Sequence, residues 1–230
     1  MSRAPRIKIC GVTSLEDATM AADHGAWAVG CIFWPRSSRA CAPAEAARIV
    51  AALRRRVEVA GVFVNATLDE VAGMVDGVGL SMVQLHGDEG PAYCSEVARR
   101  TGAKVIKAAP VRLRADIVAM EAFHTDFHLL DAYVEGQRGG TGTTFDWSLV
   151  NERRAHAPLI LSGGLDADNV GPAIAATEPF AVDVASGTEA SPGVKDPERL
   201  AAFFAAVAAT APPEPEPAPE VKATVGEAGA

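Results

Sequence analysis

The sequence predicts an α/β chain folded as a single (β/α)8 barrel, the TIM-barrel architecture, followed by a disordered C-terminal tail. Three observations predict it. Short apolar runs alternate with helical patterns from residue 6 to about residue 209. The runs number eight, the count that closes a small barrel. They are apolar at nearly every position, as strands buried on both faces are, so the sheet is parallel and covered by helices. Residues 1–210 of the 230-residue chain then form one catalytic barrel domain.

Taken in order, the strands are "RIKIC" (6–10), "AVGCIF" (28–33), "EVAGVFV" (58–64) and "MVQLH" (82–86), then "KVIKAA" (104–109), "FHLLD" (127–131), "PLILS" (158–162) and "FAVDVAS" (180–186). The first helix starts at Ser14, a capping residue with Asp17 three positions on, and stops at Gly25. Thr67 and Glu70 repeat that plan. Further helices are expected at about 43–55, 89–101, 112–122, 166–177 and 196–209, with "DWSLVNERRA" (146–155) as the remaining segment for the sixth. From residue 211 the chain reads "APPEPEPAPEVKATVGEAGA", Pro-rich and acidic, with little that enters a core; it is expected to be disordered.

Composition excludes several classes. Apolar residues make up 49% of the chain, enough for a sizeable core. The formal net charge is −8, with 21 basic against 29 acidic residues and no basic stripe, so neither nucleic acid nor membrane is expected as a partner. No long apolar run marks a secretory signal or a span. Cys10, Cys31, Cys41 and Cys94 form no C-x-x-C pair, so zinc and redox motifs are not expected. A cytoplasmic protein with reduced thiols is the simplest expectation.

Active sites of this fold lie at the C-terminal ends of the strands. Cys10, Gly11, "WPRSSR" (34–39), Asn65, His86, Asp131, "SGG" (162–164) and "ASG" (185–187) collect there. Strand alternation sharpens this. Lys8 and Cys10 share the inward face of the first strand while Ile7 and Ile9 face helices. Leu129 and Asp131 point inward on the sixth, His86 ends the fourth inward with Gln84, and Asp183 is inward on the eighth. The first and eighth strands are neighbours in a closed barrel, so Lys8 and Asp183 are expected to pair, since neither charge is tolerated buried alone.

Two glycine-rich pieces, "LSGGLDADNV" and "VASGTE", follow the seventh and eighth strands. That is where this fold recurrently binds phosphate. Gly163, Gly164 and Gly187 allow close backbone approach to an anion, with Ser186 beside them. Gly140, Thr141 and Gly142, in "GGTGTTFDW" after the sixth strand, are expected to fold over a ligand as a flap. They lie far from the first strand–helix turn, where a dinucleotide fingerprint belongs.

Together, "KICGVTSLEDA", "WPRSSR", "GVFVN", "VQLHG", "LLDA", "GGTGTTFDW", "LSGGL" and "AVDVASGTE", in this order over about residues 6–205, resemble the phosphoribosylanthranilate isomerases of tryptophan biosynthesis. The resemblance implies a cofactor-free Amadori rearrangement of a small phosphoribosyl substrate, N-(5'-phosphoribosyl)anthranilate. It implies Cys10 as general base, Asp131 as general acid, Arg39 on the anthranilate carboxylate and the glycine loops on the phosphate. His86 and Asp183 are added as substrate-facing residues, with Asp183 also available as a structural partner of Lys8. Ala185 stands where the family pattern has a serine. Another phosphosugar barrel, of the epimerase or thiamine-phosphate synthase type, and a non-catalytic phosphate-binding barrel stay open as alternatives. The oligomer is expected to be a monomer or a homodimer.

Overall fold

In the computed structural model, which describes residues 4–132, 146–154 and 156–212, eight parallel strands close into a barrel in sequence order. These are β1 (Arg6–Cys10), β2 (Ala28–Ile32), β3 (Glu58–Phe63), β4 (Met82–Leu85), β5 (Lys104–Val111), β6 (Phe127–Ala132), β7 (Leu159–Leu161) and β8 (Ala181–Val184). Around them lie α1 (Leu15–Asp23), α2 (Pro43–Leu53), α3 (Leu68–Val78), α4 (Pro91–Thr101), α5 (Arg114–Ala119), α6 (Val170–Thr177) and α7 (Pro197–Ala208). A two-stranded antiparallel hairpin, β9 (Glu189–Ser191) and β10 (Val194–Lys195), lies between β8 and α7. No described helix is long and apolar enough to cross a membrane. Residues 133–145, with Gly140, Thr141 and Gly142, and 213–230 of the tail lie outside the described residues.

Two apolar layers follow from strand alternation. Ile7, Ile9, Val182 and Val184 pack outward into the strand–helix layer. Ala28, Met82, Ile106, Leu129 and Ile160 fill the barrel's interior. Its N-terminal end is plugged by Trp27, Phe127 and Phe180, with ring centroids 5.3 Å apart, and by the Arg6 guanidinium 4.9 Å from the Phe180 ring. Aromatic contacts of this size fill that end densely. The open end is therefore the C-terminal one, where polar residues were expected.

Capping chemistry sets the helix starts. Thr67 and Glu70 form a full capping box on α3. Ser14 accepts from Asp17 N on α1, but the Asp17 carboxylate turns away to accept from Lys195 N at 3.2 Å. Three expected helices differ. The segment 166–177 becomes helical only at Val170, because Asp166 Oδ1 accepts from Asp168 N and Asn169 N while Asn169 Oδ1 accepts from Asp166 N. These local bonds hold a turn in competition with the helix. Only Arg114–Ala119 of 112–122 is α-helical, followed by a 3-10 turn at Met120–Ala122. In place of the sixth helix stands a 3-10 turn, Trp147–Glu152, tightened by Asp146 accepting from Ser148 N.

The eighth strand ends at Val184 rather than at 186. The Ala185 carbonyl accepts from Thr188 N, Thr188 Oγ1 and Lys195 Nζ, which curls Ser186–Thr188 into a 3-10 turn.

Candidate active site

The C-terminal mouth of the barrel holds a cleft. Cys10 from β1, Arg39 from the loop after β2, His86 beyond β4, Asp131 from β6 and Asp183 from β8 all line it. Ile32, Trp34, Val62 and Val64 give it an apolar wall. An apolar wall with a few convergent polar groups is what a small-molecule site requires.

Cys10 and Lys8 point inward together, as alternation predicts, and both are buried. Lys8 stands in register with Asp183 and donates Nζ to its Oδ1 at 2.7 Å. Burial works against the Lys8 ammonium, but Asp183 and Cys10 outweigh it and hold its pKa above the ordinary value. Burial pushes the Cys10 thiol up; Lys8 pulls it back without cancelling the rise. Desolvation therefore sets the net direction of the Cys10 shift. Gly30, opposite Cys10 in the β1–β2 ladder, makes room for this pair. A Cβ there would sit 3.0 Å from Cys10 Sγ and 3.2 Å from Lys8 Nζ.

Gly11 is required for a different reason. Its φ is +72°, and a Cβ on it would meet Arg39 Cδ at 2.7 Å. The arginine stem lies across this glycine, which ties the end of β1 to the loop after β2. The Arg39 head is gripped on one edge: Nε donates to Glu189 Oε1 at 2.8 Å and Nη2 to Oε2 at 2.7 Å.

Asp131 and His86 meet directly, with His86 Nε2 3.3 Å from Asp131 Oδ2. The other ring nitrogen lies 2.9 Å from Gln84 Nε2. Asp183 receives a second contact, at 3.4 Å from Ser162 Oγ.

The glycine loops after β7 and β8 touch. Gly163 and Gly164 have φ of 95° and 60°, and Asn169 Nδ2 fastens the Gly164 carbonyl at 2.8 Å. A side chain on Gly187 would collide with the Leu165 carbonyl, so only glycine lets Ser186–Thr188 lie against the β7 loop. Backbone that close to another loop is available to cradle an anion.

Cys10, Arg39, His86, Asp131 and Asp183 thus come together, with Gly163, Gly164, Ser186 and Gly187 on the loops after β7 and β8. Reading the sequence missed Glu189 and Lys195 as parts of the site. No local signal marks Glu189, whose partner Arg39 lies 150 residues away.

Comparison with known proteins agrees. The family model described as N-(5'phosphoribosyl)anthranilate (PRA) isomerase matches residues 7–206. An N-(5'-phosphoribosyl)anthranilate isomerase of Azotobacter vinelandii is 49% identical over 203 residues, covering 87% of this chain and 96% of the relative. The crystal structure of phosphoribosyl anthranilate isomerase from Thermus thermophilus superposes with a TM-score of 0.81 at 36% identity, over 89% of this chain and 98% of that one. Another such isomerase, crystallised with reduced 1-(o-carboxyphenylamino)-1-deoxyribulose 5-phosphate, superposes with a TM-score of 0.76 at 38% identity, over 88% and 98%. A match along nearly the whole barrel, in sequence and in fold alike, makes this chain a member of the N-(5'-phosphoribosyl)anthranilate isomerase family.

Proposed function

We propose that Cys10 and Asp131 are the base and acid of this isomerase, that Arg39 receives the substrate's anthranilate carboxylate, and that the loops at Gly163–Gly164 and Ser186–Gly187 receive its phosphate. The reaction turns N-(5'-phosphoribosyl)anthranilate into 1-(2-carboxyphenylamino)-1-deoxyribulose 5-phosphate, a step of tryptophan biosynthesis. One observation carries the assignment. The sulfur of β1 and the carboxyl of β6, strands separated by β7 and β8, line the same cleft.

The chemistry needs two proton transfers. Asp131 gives a proton to the ribose ring oxygen as its bond to C1' breaks. The nitrogen lone pair forms the C1'=N bond, leaving an iminium. That cation acidifies the C2' proton, which the Cys10 thiolate takes, and the electrons left behind form an enolamine. The enol then loses its O–H proton and C1' gains one, which gives the ketose. Lys8 lies beneath the sulfur and favours the thiolate. Arg39 presents a planar fork that fits a carboxylate, and the apolar wall of Trp34 and Val62 suits an aromatic ring.

The test is the loss of substrate fluorescence on turnover. Cys10→Ala and Asp131→Asn should each lower kcat by about 10²–10⁴, one proton transfer's worth, with unchanged circular dichroism. Near-normal turnover in either folded variant removes that residue from the chemistry.

A further inference from the structure

Glu189 is 4% exposed, where a carboxylate requires partners. Arg39 supplies three hydrogen bonds, Lys195 Nζ a fourth at 3.2 Å and Gly193 N a fifth at 3.3 Å. Lys195 is 3% exposed, and its ammonium also donates to the Cys10 carbonyl at 2.7 Å and the Ala185 carbonyl at 3.0 Å. One buried carboxylate–ammonium pair therefore joins three places: the arginine after β2, the backbone of Cys10, and the turn that follows β8. The β9–β10 hairpin presents both charges, and Thr13 Oγ1 anchors it by donating to the Gly193 carbonyl at 2.6 Å.

A guanidinium offers two bidentate edges, one through Nε and Nη2 and one through Nη1 and Nη2. Glu189 takes the first. Among the described residues the second has no partner, and its direction is set by the grip on the first. An ungripped arginine on a flexible stem must lose its rotamer freedom when it binds; a clasped one has lost it already.

We infer that Glu189, with Lys195, is a positioning residue: it holds the free edge of Arg39 toward the cleft and fixes that edge relative to Cys10. The substrate's carboxylate then sets the sugar's C2' against the sulfur. This rests on the assignment of Arg39 to that carboxylate.

The experiment compares Glu189→Gln, Arg39→Ala and the double variant on two substrates, N-(5'-phosphoribosyl)anthranilate and N-(5'-phosphoribosyl)aniline, which lacks the carboxylate. Glu189→Gln should raise KM for the anthranilate substrate by about tenfold or more, with a smaller fall in kcat. It should leave the aniline substrate unchanged and add nothing in the Arg39→Ala background. Equal losses on both substrates, or additive losses in the double variant, would show a merely structural ion pair and overturn the inference. If Arg39→Ala discriminates between the substrates and Glu189→Gln does not, the inference fails while the Arg39 assignment stands. If Arg39→Ala weakens both equally, the assignment fails and takes the inference with it. Glu189→Asp, which keeps the charge but withdraws it by one methylene, gives the same comparison if the glutamine variant does not fold.

Discussion

His86 Nε2 lies 3.3 Å from Asp131 Oδ2, while Gln84 Nε2 lies 2.9 Å from the other ring nitrogen. With the Gln84 amide nitrogen as donor, the hydrogen-bond pattern assigns the ring proton to Nε2, facing the carboxyl. On the proposed assignment, Asp131 protonates the sugar and His86 steadies the carboxylate left behind, acting through Asp131. His86→Ala should therefore lower kcat by about tenfold, well short of the 10²–10⁴ for Asp131→Asn. Steady-state kinetics on both variants decides the order, and equal losses would move the acid role to His86.

The Cys10 thiol is raised by burial and pulled back by Lys8. With the Cys10 thiolate as the proposed base, kcat/KM should climb with pH on the alkaline side, above the ordinary thiol value of about 8.5. Lys8→Met removes the pull, so the rising limb should shift to higher pH. It also leaves Asp183 buried without its cation, at a cost of about 3–5 kcal/mol. A pH–rate profile and a denaturant melt separate the two effects, and an unmoved limb would exclude Lys8 from tuning the sulfur.

Gly11→Ala tests the ground beneath Arg39. A left-handed φ of +72° costs a β-carbon about 1–2 kcal/mol, and that carbon would stand 2.7 Å from the arginine stem. The stem must move, so KM should rise along with the loss in melting temperature. Gly30→Ala instead crowds the Cys10 sulfur and should lower kcat more than it raises KM.

Glu89 and Lys107 form a third buried carboxylate–ammonium pair, 2.8 Å apart, and Lys107 also donates to the Gly87 carbonyl at 2.7 Å. Burial by itself would raise the Glu89 carboxyl, but Lys107 outweighs it and the pKa is held below the usual range. A carboxyl depressed in the folded state stabilises above its unfolded pKa, about 4.3, and that stability drains away as pH falls through the folded value. Melts from pH 7 to pH 3 should therefore show a steeper acid loss in the parent than in Glu89→Gln. The variant should be less stable at pH 7, by about 3–5 kcal/mol.

Much of this protein was legible in the residue order because barrel strands obey a period of two. Alternation along "RIKIC" put Lys8 and Cys10 on one face; alternation along "FAVDV" put Asp183 on the face that meets them; and β1 and β8 pair in that register. The helices at 146–155 and 166–177 were less legible, because Asp146, Asp166 and Asn169 bond the nearby backbone and shorten or replace the expected turns. Periodicity does not report such local competition.

Tertiary structure alone decided which charges share a partner. Glu189 lies 150 residues from Arg39 and Lys195 lies 185 from Cys10, so no spacing rule joins them. Closing the barrel brings these groups together, and burial then makes their partners obligatory, since a desolvated carboxylate or ammonium stays charged only beside its opposite. Residue order placed Cys10, His86, Asp131 and Asp183 on the face that lines the cleft. Only the folded chain decided which of them hold one another in place.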